Sequence, residues 1–340
     1  MISPFFPNVR RGVRCGDLLR AVTAVVVAGA CAANTAAADG EVSARGERAI
    51  REVLAASKAE DPFLRANAIE AMRPMPDRAR PLVKLGVDDP AAVVRFAALM
   101  TAAELRMQDV GASAKSRLGD PSRSVRAAAI YACQVAGEPI DPTPLADMLA
   151  SRGPDVRANA VMVVSRLDQP GAIAMIKEAT RAPTRRASAE ERAITRVQVA
   201  EAVVRLGDEK SLDAIRAAAY SPFDEVKVLA ILTLGRLEDK AMAAALAPML
   251  KNEPIEIRLA AARSLGQMGE VNGLQTAIEG SRSERAPVRA QAAFALADIP
   301  HERSREVLVA LLEDASPQVR LSAAAGVIER VARQRARARR

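Results

Sequence analysis

The chain has 340 residues, half of them apolar but only 2% aromatic, with no tryptophan and a formal charge of +8. So little aromatic bulk excludes a deep globular core and favours a fold one helix pair thick, which Ala, Leu, Val and Met can fill. The charge sits at the ends: residues 1–38 contribute +3 and residues 330–340 contribute +6, leaving −1 on the body between them. A near-neutral body excludes the continuous basic surface that binding to nucleic acid requires.

At the amino end, Arg10, Arg11, Arg14 and Arg20 precede an apolar run from Ala21 to Ala33, followed by the small residues Ala36, Ala37 and Ala38. This order predicts a secretory signal over 1–38, cleaved near Ala38, with a linker over 39–46. The apolar run is shorter than the roughly 20 residues that span a bilayer. Cys31, preceded by Ala28-Gly29-Ala30, offers lipidation as the alternative, although Ala28 stands where a lipobox favours Leu. Val9-Arg10-Arg11-Gly12-Val13 carries only the arginine pair of a twin-arginine signal. The expected location is extracytoplasmic, periplasmic or secreted, or else lipid-anchored at Cys31. Cys133 is the one cysteine beyond this segment, so no intramolecular disulfide is expected and its reading is a small core residue.

From residue 47 to 330 one short segment recurs, its basic residue falling at Arg65, Arg95, Arg126, Arg157, Arg196, Lys227, Arg258, Arg289 and Arg320. The spacing is 31 residues except for one gap of 30 and one of 39. A fixed period of this size signals stacked supersecondary units. Each unit reads as two helices, and Asp61-Pro62, Asp89-Pro90 and Asp120-Pro121 read as starts of second helices, with Asp as cap and Pro in the first turn. Counting the arginine as zero, position +3 is Ala in every unit but the fifth, which has Val199, and position +7 is small or apolar throughout. That stripe cannot be buried within one unit, so the units stack. The expectation is an all-α solenoid of about nine helix pairs, a right-handed superhelix forming an arc on the order of 80 to 90 Å long. Unit five departs from the pattern: Glu190-Glu191-Arg192 replaces the Asp-Pro turn, and eight extra residues fall within a basic loop from Thr180 to Ser188. Residues 331–340 read as a solvated basic tail able to meet acidic or membrane surfaces.

The turn-helix signature, clearest at Asp89-Pro90-Ala91-Ala92-Val93-Val94-Arg95 and Asp120-Pro121-Ser122-Arg123-Ser124-Val125-Arg126, resembles the HEAT-repeat family in its short form, known from phycobilin-lyase-like proteins. The resemblance covers about nine units and implies an α-solenoid that binds protein or peptide partners. By association alone it also implies a second reading, an accessory or catalytic component of an oxidoreductase- or lyase-type system. His301, in the pair His301-Glu302, is the only histidine. The pair is similar to the metal-binding pairs of deoxyhypusine hydroxylase, a HEAT-repeat di-iron enzyme, but a di-iron site needs several such ligands and one pair cannot supply them. No phosphate-cradling glycine motif occurs. The expectation is therefore a non-catalytic scaffold with no cofactor.

Positions +2, +5 and +9 of the second helices share one face, expected to line the concave side. That face mixes Asn67, Glu70, Met100, Glu104, Tyr131, Met162, Glu201, Arg263, Phe294 and Asp298 with a column of Arg166, Arg205 and Arg236. Tyr131, Met162, Arg166, Arg205 and Arg236 are the predicted partner-binding residues, the arginines suited to carboxylate groups. The zero-position arginines recur in every unit but one and are read as structural.

Overall fold

The computed structural model describes residues 36–167, 171–181 and 187–338; the apolar run, Cys15, Cys31 and residues 182–186 of the basic loop lie outside them. All regular structure among the described residues is helical. The first helices of the nine units are α1 (Ala36–Ala56), α3 (Pro76–Gly86), α5 (Gly111–Ser116), α7 (Pro144–Leu149), α9 (Ala172–Arg181), α11 (Leu212–Ala218), α13 (Ala243–Leu246), α15 (Leu274–Gly280) and α17 (Glu302–Ala310). The second helices are α2 (Pro62–Met72), α4 (Ala92–Glu104), α6 (Arg123–Ala136), α8 (Pro154–Val164), α10 (Ala189–Arg205), α12 (Asp224–Arg236), α14 (Ile255–Gln267), α16 (Ala286–Asp298) and α18 (Pro317–Ala338).

Packing follows the stripe. All eight +3 alanines, from Ala68 to Ala323, are fully buried, and so are Met72, Cys133, Leu234, Leu265 and Leu296 at +7. Where two second helices come closest, even a methyl group is excluded: a Cβ on Gly235 would lie 2.7 Å from the Cα of Ser264. Burial raises the Cys133 thiol above its ordinary pKa, as suits a core residue.

The Asp-Pro turns work in two ways. Asp61 caps α2 as expected, accepting from Phe63 N at 2.8 Å, with Pro62 in the first turn. Asp89 and Asp120 make the same bond, accepting from the amides of Ala91 and Ser122 at 2.8 and 2.9 Å, but α4 and α6 start two residues beyond the proline, so these aspartates hold the turn rather than cap the helix. Those aspartates serve the preceding unit. Arg65 clasps Asp89 through Nε and Nη2, both at 2.8 Å, while its Nη1 holds the carbonyls of Ala59 and Glu60 in its own turn. Arg95 with Asp120 and Arg289 with Asp314 repeat the clasp. In unit five a capping box of Ser188 and Glu191 starts α10 in place of the Asp-Pro turn.

The stack does not end as an open arc. Helix α18 packs on α1 and α2 as well as on α16, so the last unit meets the first and the nine second helices form a closed inner ring. Arg320 Nε bonds Glu52 Oε2 at 2.9 Å, and Arg48 pairs with Glu313 across the same seam. Glu52 replaces the usual partner, because the turn position filled by Asp89 in unit two holds Ala59 in unit one. Nine units that close a full circle each turn by about 40°, a small rotation that repeats of this kind add up.

Both expected terminal boundaries are corrected by this closure. Residues 39–46 are helical within α1, and Gly46 sits beside Val331, which is buried. Residues 331–338 continue α18, and Arg330 donates to the carbonyls of Leu296, Ala297 and Ile299 and to Ser304 Oγ. The arginines expected in a solvated tail thus begin as packed parts of the last helix, because the neighbouring unit leaves the carboxyl-terminal carbonyls of α16 to be satisfied.

Candidate functional site

The inner face of the ring is built from positions +5 and +9 of the second helices, one helical turn apart and repeated from unit to unit. Three carboxylates organise it. Glu104, the last residue of α4, faces Arg73 from the end of α2 and Arg166 from beyond α8, whose Nη2 lies 3.3 Å from Oε1. Glu201 of α10 accepts from Arg205 Nη2 at 3.0 Å and from Arg236 Nε and Nη2 at 3.1 and 2.7 Å. Asp298 of α16 accepts from Arg263 Nε and Gln267 Nε2, both at 3.0 Å, and from Arg333 Nη2 at 3.3 Å. The Arg263 guanidinium also lies 4.9 Å from the centre of the Phe294 ring.

The electrostatics follow from this geometry. Burial opposes ionisation of Glu201, but the two guanidiniums outweigh it and hold the carboxyl at about 2. Burial acts on the Arg166 guanidinium as well, lowering its pKa, and Glu104 only partly restores it. The Tyr131 phenol is pushed up by burial, partly countered by Arg166.

The five predicted residues are all on this face, in unequal settings. Arg205 and Arg236 come together on one carboxylate. Arg166 breaks the expected column: its own neighbour at +9 in unit three is Val135, which offers no acceptor, and the side chain reaches back to Glu104, two units away. Tyr131 and Met162 are buried, at 9% and 7% exposure, and Arg236 is enclosed by its ion pair. These three are parts of the packed inner wall, so the expectation that they stand open as contact residues is corrected. Arg205 keeps an exposed surface.

Arg333 belongs to the face although the sequence placed it in the tail. A signal for it exists in the spacing: Glu201 to Arg236, Arg263 to Asp298 and Asp298 to Arg333 are each 35 residues apart. That is one repeat plus one helical turn, an i,i+4 pair displaced to the next unit.

Elsewhere, His301 is an exposed helix cap, its Nδ1 accepting from Arg303 N at 3.0 Å. Among the described residues no group of three or more His, Cys, Asp or Glu side chains is placed to hold a metal.

The family model described as HEAT repeats matches residues 79–164 and 216–287, and that of the PBS lyase HEAT-like repeat matches 288–314. The chain belongs to the HEAT-repeat family. A comparison with curated proteins returns no match. Among solved structures it is similar to human deoxyhypusine hydroxylase in complex with glycerol, at 16% identity over 86% of this chain and 98% of that one, with a TM-score of 0.37. The karyopherin Kap121p bound to the SUMO protease Ulp1p is similar at 14% identity over 81% of this chain, TM-score 0.32, and here the match spans only 36% of the karyopherin. An engineered protein is similar at 17% identity over 82% of this chain and 87% of its own, TM-score 0.33. None of these likenesses bears on activity.

Proposed function

We propose that this HEAT-repeat ring is a non-catalytic binding scaffold whose protein or peptide partner meets the inner face. The observation that carries this reading is a charged cluster: Glu104 and Glu201 gather four guanidiniums, Arg73, Arg166, Arg205 and Arg236, on the inner face. Guanidiniums gathered in this way suit the acidic groups of a partner. The signal pattern of residues 1–38 supports export, and no described helix is long and apolar enough to cross a membrane. Site-specific photo-crosslinking in producing cells tests the scaffold. A crosslinker at Arg205 is expected to capture a partner that one at Leu85, 75% exposed on α3, does not. Equal capture from both positions, or none from Arg205, would refute the inner-face assignment. Intact-mass measurement on exported protein tests cleavage near Ala38.

A further inference from the structure

One turn of the ring keeps the arginine of the clasp and lacks the acid. In the clasps of Arg65 with Asp89 and Arg95 with Asp120, one carboxylate oxygen takes the amide two residues on together with Nη2, and the other takes Nε. At the next turn Ser151 Oγ takes the amide of Gly153, and the serine has no second oxygen to offer Arg126. Arg126 still donates Nη1 to the carbonyl of Asp120, as Arg95 does to that of Asp89. The guanidinium is therefore held in the clasping position while its Nε and Nη2 edge has no partner among the described residues. Arg123, from the first turn of α6, reaches the same serine: its Nη1 is 3.5 Å from Ser151 Oγ, and its Nη2 donates to the carbonyl of Asp147 at 3.0 Å. Both arginines are partly exposed, Arg152 beside the serine is exposed, and no nitrogen of Arg126 is among the enclosed polar atoms that lack a bond. Two units further on Arg196 is exposed, with Ser221 at the turn that follows.

We propose that Arg126 and Arg123 at the Ser151 turn bind an acidic side chain of a partner protein, which completes the clasp from outside, and that Arg196 takes a second one. The clasped units are the template: the same guanidinium edge holds a carboxylate there with two parallel bonds. The turn stands at the opposite end of the second helices from position +9, so this surface is separate from the inner face and goes beyond the reading above.

The test is fluorescence anisotropy of dye-labelled hexa-aspartate, amidated at its carboxyl terminus, on the intact protein, against hexa-asparagine. Fully extended, the peptide reaches about 20 Å, the span of two stacked units. It is expected to bind at least about tenfold tighter than the neutral peptide. Three variants that each lower the charge by one separate the site from general attraction. Arg126→Gln and Ser151→Asp are each expected to weaken hexa-aspartate by about tenfold, the second because it places the missing acid in the clasp. Arg51→Gln, on the exposed side of α1, is expected to change it by less than about twofold, because a distant surface charge is screened. Wild-type affinity in the Ser151→Asp protein, equal losses in all three variants, or oligothymidylate bound as tightly as hexa-aspartate overturns the site. If Arg126→Gln fails to fold, Ser151→Asp decides alone. Crosslinking at Arg205 reads the inner face only, so either assignment can fall without the other.

Discussion

Two arcs of the ring hold their units together differently. From unit one to unit three, from unit six to unit nine and across the closure, every zero-position residue clasps an acid of the next unit: Arg65 with Asp89, Arg95 with Asp120, Lys227 with Glu253, Arg258 with Glu279, Arg289 with Asp314 and Arg320 with Glu52. From unit three to unit six no such pair forms among the described residues. Arg126 and Arg157 bond only carbonyls of their own turns, and Arg196 is exposed. Three clasps use one turn position, at Asp89, Asp120 and Asp314; where it holds Asn252, Ser283 and Ala59, Glu253, Glu279 and Glu52 from other positions stand in, whereas the weak arc has Ser151 and Ser221 there with no such substitute. Unit five has Glu190 there, behind its insertion, and no bond joins it to Arg157. Stacked repeats are stabilised by nearest-neighbour interfaces, so the ring has a strong arc and a weak one.

Breaking a clasp gives the largest expected effect. Asp120→Ala removes a fully buried carboxylate and leaves Arg95 enclosed without its partner, at a cost of about 3 to 5 kcal/mol in a denaturant melt. Arg126→Ala in the weak arc should cost under about 1 kcal/mol. Equal losses would mean that the clasps do not set the difference.

The clasped aspartates and two half-buried carboxyls of the weak arc should respond to pH in opposite directions. Burial raises Asp155 to about 6, and burial together with Glu190 raises Glu225 to about 7, both in the weak arc. A carboxyl that holds its proton more tightly when folded adds stability that is full at low pH and is lost as pH rises through the folded value. In the strong arc Arg65 and Arg289 lower Asp89 and Asp314, and Arg95 outweighs burial to lower Asp120, so that contribution is lost only as pH falls below the ordinary carboxylate range. Hydrogen exchange corrected for its intrinsic rate should show helices α8 to α12 losing protection between about pH 5 and pH 8 while α4 does not. A uniform response around the ring would remove the distinction.

Converting the weak arc is a smaller effect in the stabilising direction. Ser151 already makes the Asx-like turn, its Oγ accepting from Gly153 N at 3.2 Å, as Asp89 and Asp120 do in theirs. Ser151→Asp should preserve the turn and give Arg126 an acid, gaining about 1 kcal/mol in the melt. The smallest expected change is Glu238→Gly. In five units position +11 ends the second helix in the left-handed region; Gly137, Gly207 and Gly269 stand there in three, but Glu238 and Arg106 occupy it at φ of 52°. Relieving that strain should stabilise by less than about 1 kcal/mol.

Much of the inner wall was legible in the repeat, though not its use of charge. The buried stripe and the structural role of the zero-position arginines follow from spacing, because each unit sees the same neighbour. The column of Arg166, Arg205 and Arg236 was drawn by the same rule and failed at Arg166, since an arginine seeks the nearest carboxylate and not the nearest register. Tyr131 and Met162 were expected in an open groove; a closed ring crowds that face.

The 31-residue period by itself determined the helical class, the nine helix pairs and the core, because those depend on contacts within a unit and with the next one. Whether the stack stays open or closes was decided by the tertiary structure alone. Closure depends on the sum of nine small rotations, and a few degrees per unit, set by side-chain volume at each interface, separate an arc from a ring. Only then do Glu52, Arg320, Val331 and Arg333, ordinary terminal residues in the sequence, become parts of one wall.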